Sequence, residues 1–102
     1  MRIAQVIGSI TLSKPHPSLA GGRLLIAVPA SLRALAHNRH SDGEEIIVWD
    51  DLGAGPGCWI GVSEGVEATM PFRPERKPLD AYSACLLDDL YLDSQQLKEL
   101  LP

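Results

Sequence analysis

Asp50-Asp51-Leu52-Gly53-Ala54-Gly55-Pro56-Gly57 lies between two short apolar runs, Ile46-Ile47-Val48-Trp49 before it and Trp59-Ile60-Gly61-Val62 after it. Glycine reaches positive φ without a Cβ clash and proline presets φ, so three glycines and a proline in so short a stretch can reverse the chain tightly. The simplest expectation is a β-hairpin, with strands over 45–50 and 58–63 and a glycine-rich tip. Such a tip can hold a phosphate, expose a catalytic group or let a second chain approach closely.

Upstream, residues 3–13 alternate. Ala4, Val6, Gly8, Ile10 and Leu12 fall on one face, with Gln5, Ser9, Thr11 and Ser13 on the other. Ile3 and Ile7 make the outer face partly apolar, and Gly8 marks a bulge or bend. Residues 14–22 read as a loop, interrupted by Pro15 and Pro17 and turned by Gly21-Gly22. Leu24-Leu25-Ile26-Ala27-Val28 is a continuous apolar run, read as a central strand. Residues 30–43 read as a mobile loop holding at most one helical turn. Downstream, 64–69 forms a short turn, and three prolines over 71–78 bar a central strand. Residues 80–87 make the fifth strand. Asp93 is placed as an N-cap with Gln96 three residues on, and Leu92 and Leu97 are spaced as a hydrophobic staple. Leu97, Leu100 and Leu101 share one face of a helix too short to stand alone, so that face must dock on the barrel or on a neighbour. Five short strands and one small helix point to a mostly β protein: a small five-stranded OB-like β-barrel with a short C-terminal helix.

A chain of 102 residues makes one domain with a small core. No run approaches the roughly 18 apolar residues of a membrane span. Residues 1–2 lead straight into the alternating strand without an apolar signal region, and Cys58 and Cys85 are expected as reduced, mostly buried thiols of a cytoplasmic protein. The net charge of −4 is unevenly spread. Up to Gly43 the charged residues are Arg2, Lys14, Arg23, Arg33 and Arg39 against Asp42 alone; beyond it, twelve carboxylates face four bases. Solvated faces account for this, and so do complementary edges of identical subunits packed head to tail.

Several patterns suggest chemistry and fail on their surroundings. Gly61-Val62-Ser63-Glu64-Gly65 matches G-x-S-x-G, yet no histidine follows Ser63 and no large parallel sheet is available, so it reads as a strand-end turn. The glycine stretch departs from a dinucleotide loop at Cys58, and Asp50-Asp51 would repel a phosphate. His37 and His40, with Asp42 near, have metal-ligand spacing but lie in a polar segment that supplies no ordered third ligand. His16 between two prolines is a loop residue. Asp50-Asp51 and Asp88-Asp89 could split their pKa values for acid–base work, but adjacent strand residues point to opposite faces, so turn capping or subunit pairing is expected. An OB-like barrel also raises single-stranded nucleic-acid binding as an alternative function. Arg73, Arg76 and Lys77 form the only dense basic cluster, and aromatics are few.

Read together, the blocks resemble a known family, the EutN/CcmL pentameric vertex proteins of bacterial microcompartments and carboxysomes. Four blocks carry the resemblance in order: residues 3–10, residues 17–26, Val48 to Gly57, and Asp80 to Asp88. They define a barrel domain over 1–88, followed by a tail over 89–102 with its short amphipathic helix. The resemblance implies a cyclic homo-pentamer that closes the vertices of a cytoplasmic polyhedral shell beside hexameric and trimeric shell proteins. It implies no enzymatic activity, no cofactor, no metal, no nucleic acid and no membrane. Cys58 stands where the family commonly has an acidic residue. On this reading Asp50, Gly53, Ala54, Gly55, Gly57, Asp80 and Asp88 are the residues of an oligomer interface or axial turn.

Overall fold

The computed structural model describes residues 1–37 and 40–101; Asn38 and Arg39, in the segment read above as a mobile loop, and Pro102 lie outside the described residues. Five strands form a closed barrel: β1 (Arg2–Ile10), β2 (Arg23–Pro29), β3 (Ile46–Asp50), β4 (Trp59–Glu64) and β5 (Ala81–Leu87), in the spatial order β1-β2-β3-β5-β4. Neighbours are antiparallel except β3 and β5, which run parallel where Trp49 faces Tyr82. Two short helices accompany them, α1 (Leu32–Ala36) and α2 (Ser94–Leu100). Ala4, Val6, Leu25, Ala27, Val48, Ile60, Val62 and Ala81 fill the interior, with Ile46 packed beside them. These are small and medium side chains, as a narrow barrel requires. Burying each valine, leucine or isoleucine contributes about 1.5–3 kcal/mol.

The expected hairpin is not formed. β3 pairs with β2 and β5, whereas β4 pairs with β1 and β5. The stretch Asp50–Gly57 therefore crosses the end of the barrel instead of turning back on β3. An apolar run is compatible with either pairing. Closure decides, because placing β5 between β3 and β4 lets β4 pair with β1 and leaves no open edge.

β1 also departs from simple alternation. Its register with β2 runs Gln5↔Val28, Val6↔Ala27, then Gly8↔Ile26 and Ile10↔Leu24, so Ile7 is the extra residue of a bulge. Beyond that bulge Gly8 and Ile10 stand opposite Ile26 and Leu24, which alternate with the buried Leu25 and Ala27 and so lie on the outer face. The strand ends at Ile10, and Leu12 is exposed. Gly8 does mark the bulge, but the single inward face extended to Leu12 is corrected, since one inserted residue exchanges the faces.

On either side of Asn38 and Arg39, the described residues of segment 30–43 are tied to one another and to the end of β2. Ser31 caps α1 through its Oγ, which accepts from Ala34 N at 3.1 Å. The same serine donates from N and Oγ to the Asp42 carboxylate at 2.8 and 2.7 Å, and Gly43 N donates to Pro29 O at 2.8 Å. A cap satisfies orphan amides and compensates for the short helix. The cysteine expectation also needs correction: Cys58 is exposed and Cys85 half-buried. Cys85 faces Gly61, three residues along the ladder from Cys58. That offset puts about 10 Å between them, too far for a disulfide.

Candidate assembly surfaces

The glycine stretch acts first as a lid. Asp50 is buried, and its Oδ2 accepts from Gly53 N at 2.9 Å and Ala54 N at 3.0 Å. These two bonds turn the chain inward, so that Ala54 plugs the barrel mouth and joins the core. Gly53 and Gly57 have φ of 86° and 90°, whereas Gly55 is not left-handed. Gly57 N donates to Val6 O at 2.8 Å, and Val6 N to Cys58 O at 2.9 Å, which zips the stretch onto β1. Of the seven residues expected at an interface or axial turn, Asp50 and Ala54 are thus committed inside the subunit. Gly53, Gly57, Asp80 and Asp88 are exposed and Gly55 is half-buried. The course of β5 puts Asp80 and Asp88 at opposite barrel ends, with Asp88 at the glycine end.

Trp49 is an element that sequence reading left unassigned. It points outward from β3 yet is buried. Its Nε1–H donates to Leu19 O at 3.1 Å, and a Cβ on Gly22 would stand 2.3 Å from its ring. Phe72 meets the ring edge-on at 5.2 Å, with Tyr82 at 6.0 Å. The Lys77 ammonium lies 5.0 Å from the Trp49 centroid and donates to the carbonyl of Ser18. Trp49 and Lys77 therefore fasten the loop 11–22 and the 3-10 turn Gly65–Phe72 with its following loop over the outside of β3 and β5. Burial, then the nearby Asp51 carboxylate, pushes the Tyr82 hydroxyl above the usual tyrosine range. The only signal in the sequence was a glycine pair, which also reads as an ordinary turn. Because these three rings pack on one another, they do not form the exposed stacking platform that nucleic-acid binding uses.

At the histidines, Asp42 holds its carboxylate on Ser31, and that bonding lowers its pKa below the usual range. His40 Nδ1 bonds to the carbonyl of His37 at 2.9 Å. Among the described residues no cluster of three or more His, Cys, Asp or Glu has metal-site geometry, and no helix is long and apolar enough to cross a membrane.

What remains open on the outside is apolar and two-sided. On the β1–β2–β3 wall, Ile7, Ile26 and Ile47 lie side by side across three strands, and Ile7 and Ile47 are 55% and 42% exposed. The Ile26 Cδ1 leans to 3.8 Å from where a Gly8 Cβ would stand. On the other side, across β4 and β5 and reaching the start of β1, a groove of about 220 Å³ runs between Ile3, Leu35, Trp59, Leu87 and Leu90, edged by Asp88 and Asp89. Unlike faces on opposite sides of a subunit are what a head-to-tail ring needs. Their charges differ too. Arg23 and Lys14 belong to the first wall, and Lys77 brings the loop of Arg73 and Arg76 to the same side, while the groove's own charges are acidic.

The sequence pattern of the family described as "Ethanolamine utilisation protein EutN/carboxysome" matches residues 1–88. The chain is 28% identical over 90 residues to the microcompartment shell vertex protein EutN of Salmonella typhimurium, covering 88% of this chain and 86% of that one. It is 25% identical over 95 residues to the carboxysome shell vertex protein CcmL of Nostoc sp., covering 93% and 90%. Among solved structures it is similar to GrpN, a pentameric microcompartment shell protein from Rhodospirillum rubrum. There the TM-score is 0.75 at 26% identity, over 91% of this chain and 100% of that one.

Proposed function

The chain belongs to the EutN/carboxysome family, and on that premise we propose that it is a structural vertex protein, without catalytic activity, of a microcompartment shell. Five copies form a ring by setting the groove wall of one subunit against the isoleucine wall of the next. The observation that carries this reading is the pairing of unlike apolar faces on opposite sides of one closed barrel. A heterologous contact uses both faces of every subunit, so a ring leaves neither exposed. Obligate interfaces of this kind bury outer apolar surface that a monomer would leave in water. In the ring the glycine end, with Gly53, Gly55, Gly57 and Asp88, borders the neighbour or the axis, and Asp80 lies at the far end. The outer rim then meets the larger hexameric and trimeric shell proteins.

Native mass spectrometry tests the ring. Five chains of 11.0 kDa give roughly 55 kDa. Ile47→Glu puts a charge into the isoleucine wall without touching the core. The expected result is a folded 11.0 kDa monomer with an unchanged circular dichroism spectrum. A wild-type chain that stays monomeric, or an Ile47→Glu ring of unchanged stability, would overturn this contact.

A further inference from the structure

α2 is a well-made helix with little packed against it: Leu97 is half-buried and its other residues are exposed. Asp93 caps it, its Oδ1 accepting from Gln95 N and Gln96 N at 3.0 Å each. Yet none of its residues is buried, and Leu100 and the preceding Tyr91 are 65% and 81% exposed. The described residues extend 48 Å along one axis but only 26 and 22 Å across it. Strands of five to nine residues fill roughly half of that length at about 3.3 Å per residue. A seven-residue helix does not persist alone in water, so its leucine face has an intended partner.

The barrel holds a matching surface on the other side. Loop 11–22 and the outer face of β2 enclose a groove of about 350 Å³, lined by Ile10, Leu12, Pro17, Leu19 and Leu24 and bordered by Arg23. Lys14 lies in the same loop, and Arg73 and Arg76 lie in the loop that Lys77 ties to Ser18. The tail carries Asp88, Asp89, Asp93 and Glu99 against Lys98 alone. The leucines thus complement an apolar trough, and the carboxylates complement its basic surroundings.

We propose that residues 88–101 of each copy strap onto the adjacent copy in the ring, with the Leu97/Leu100/Leu101 face of α2 seated in the groove between loop 11–22 and β2. This rests on the ring proposed above. Continuity selects the adjacent copy. The tail prolongs β5, on the wall that meets the neighbour's isoleucines, and the receiving groove adjoins those isoleucines, since Ile10 and Leu24 form the next row beyond Gly8 and Ile26. The subunit's own groove is a poor target, because β2 lies across the barrel from β4 and β5. Reach suffices: six extended residues and two helical turns span about 30 Å, more than the 22–26 Å width.

Cross-linking tests the strap in the full chain. Leu12→Cys and Leu100→Cys, both exposed sites, are introduced together with Cys58→Ser and Cys85→Ser, and the protein is oxidised mildly. A denaturing non-reducing gel is expected to show covalent multimers up to five chains. A disulfide confined within single chains would overturn the strap in favour of self-docking. Absence of any cross-link in a protein that native mass spectrometry still shows as five copies would overturn the strap and leave the ring standing. A protein already monomeric before oxidation would overturn the ring, and the strap with it. In the otherwise unmodified chain, Leu97→Glu is expected to raise the concentration at which rings dissociate by at least about tenfold; no change would count against the strap.

Discussion

Asp50 shows how much one side chain settles at the barrel mouth. Its Oδ2 holds two amides, while its Oδ1 is buried without a partner among the described residues. Asp50→Ala removes both bonds and is expected to cost about 1–3 kcal/mol, read as a fall in melting temperature of several degrees. Gly53→Val and Gly57→Val force a β-branched residue to positive φ and are each expected to cost about 1–3 kcal/mol. Gly55→Ala is the contrast. Its Cβ would meet nothing within 4 Å inside the subunit, so melting of a dissociated subunit should be unchanged, and any loss of ring stability would place Gly55 at the subunit boundary. The glycine-rich pattern was legible in the sequence, but not which glycines are left-handed, because φ depends on where the stretch must go. Arg2 and Glu64 make a second residue-scale test, bonded through Nε at 2.5 Å and Nη2 at 2.9 Å. The hydrogen bond from Arg2, more than its charge, holds the Glu64 carboxyl below the usual glutamate range. A lowered folded-state pKa contributes stability that is complete above the ordinary glutamate value and is lost as pH falls through the lowered one. Both groups are partly exposed, so the pair is worth less than about 1 kcal/mol. Glu64→Gln should accordingly lower stability at neutral pH by less than about 1 kcal/mol and converge with the unmodified chain at low pH, which flattens the acid limb of the stability–pH profile slightly.

At the scale of elements, the loops are held by packing rather than by their own propensity. Loop 11–22 and the segment after Gly65 are ordered because Trp49, Phe72, Tyr82 and Lys77 converge on them. Gly22→Ala drives a methyl into the indole and is expected to cost about 1–3 kcal/mol, as overpacking does. In a Trp59→Phe background, the shifted fluorescence of Trp49 reports whether the loop has lifted. The element boundaries were largely readable: the strand over 80–87, the cap at Asp93 and the bulge at Gly8 all follow from local residue types. The hairpin was misread because apolar runs specify a face and not a partner. The clamp was missed because its members are separated by as many as 59 residues, Ser18 to Lys77.

Over the whole molecule, the split of charge along the chain becomes a split across the barrel. β2 stands between β1 and β3 in the wall order, and β5 and β4, which lead into the acidic tail, lie on the other side. A ring that sets these sides together gains long-range attraction that salt screens, the Debye length falling from about 10 Å at 0.1 M to 3 Å at 1 M. The concentration at which rings dissociate should therefore rise with ionic strength, measured by analytical ultracentrifugation across that range. The apolar walls are unaffected by screening, so a residual association is expected at high salt.

By itself the sequence determined the five strands, the capped terminal helix, the uneven charge and the family. Each of these is written in local spacing or in a pattern that survives at low identity. Only the tertiary structure decided that Asp50–Gly57 spans a barrel mouth, that one bulge turns Gly8 and Ile10 outward, and that α2 buries none of its residues. Those outcomes depend on ring closure of the sheet, a non-local condition that no window of residues contains.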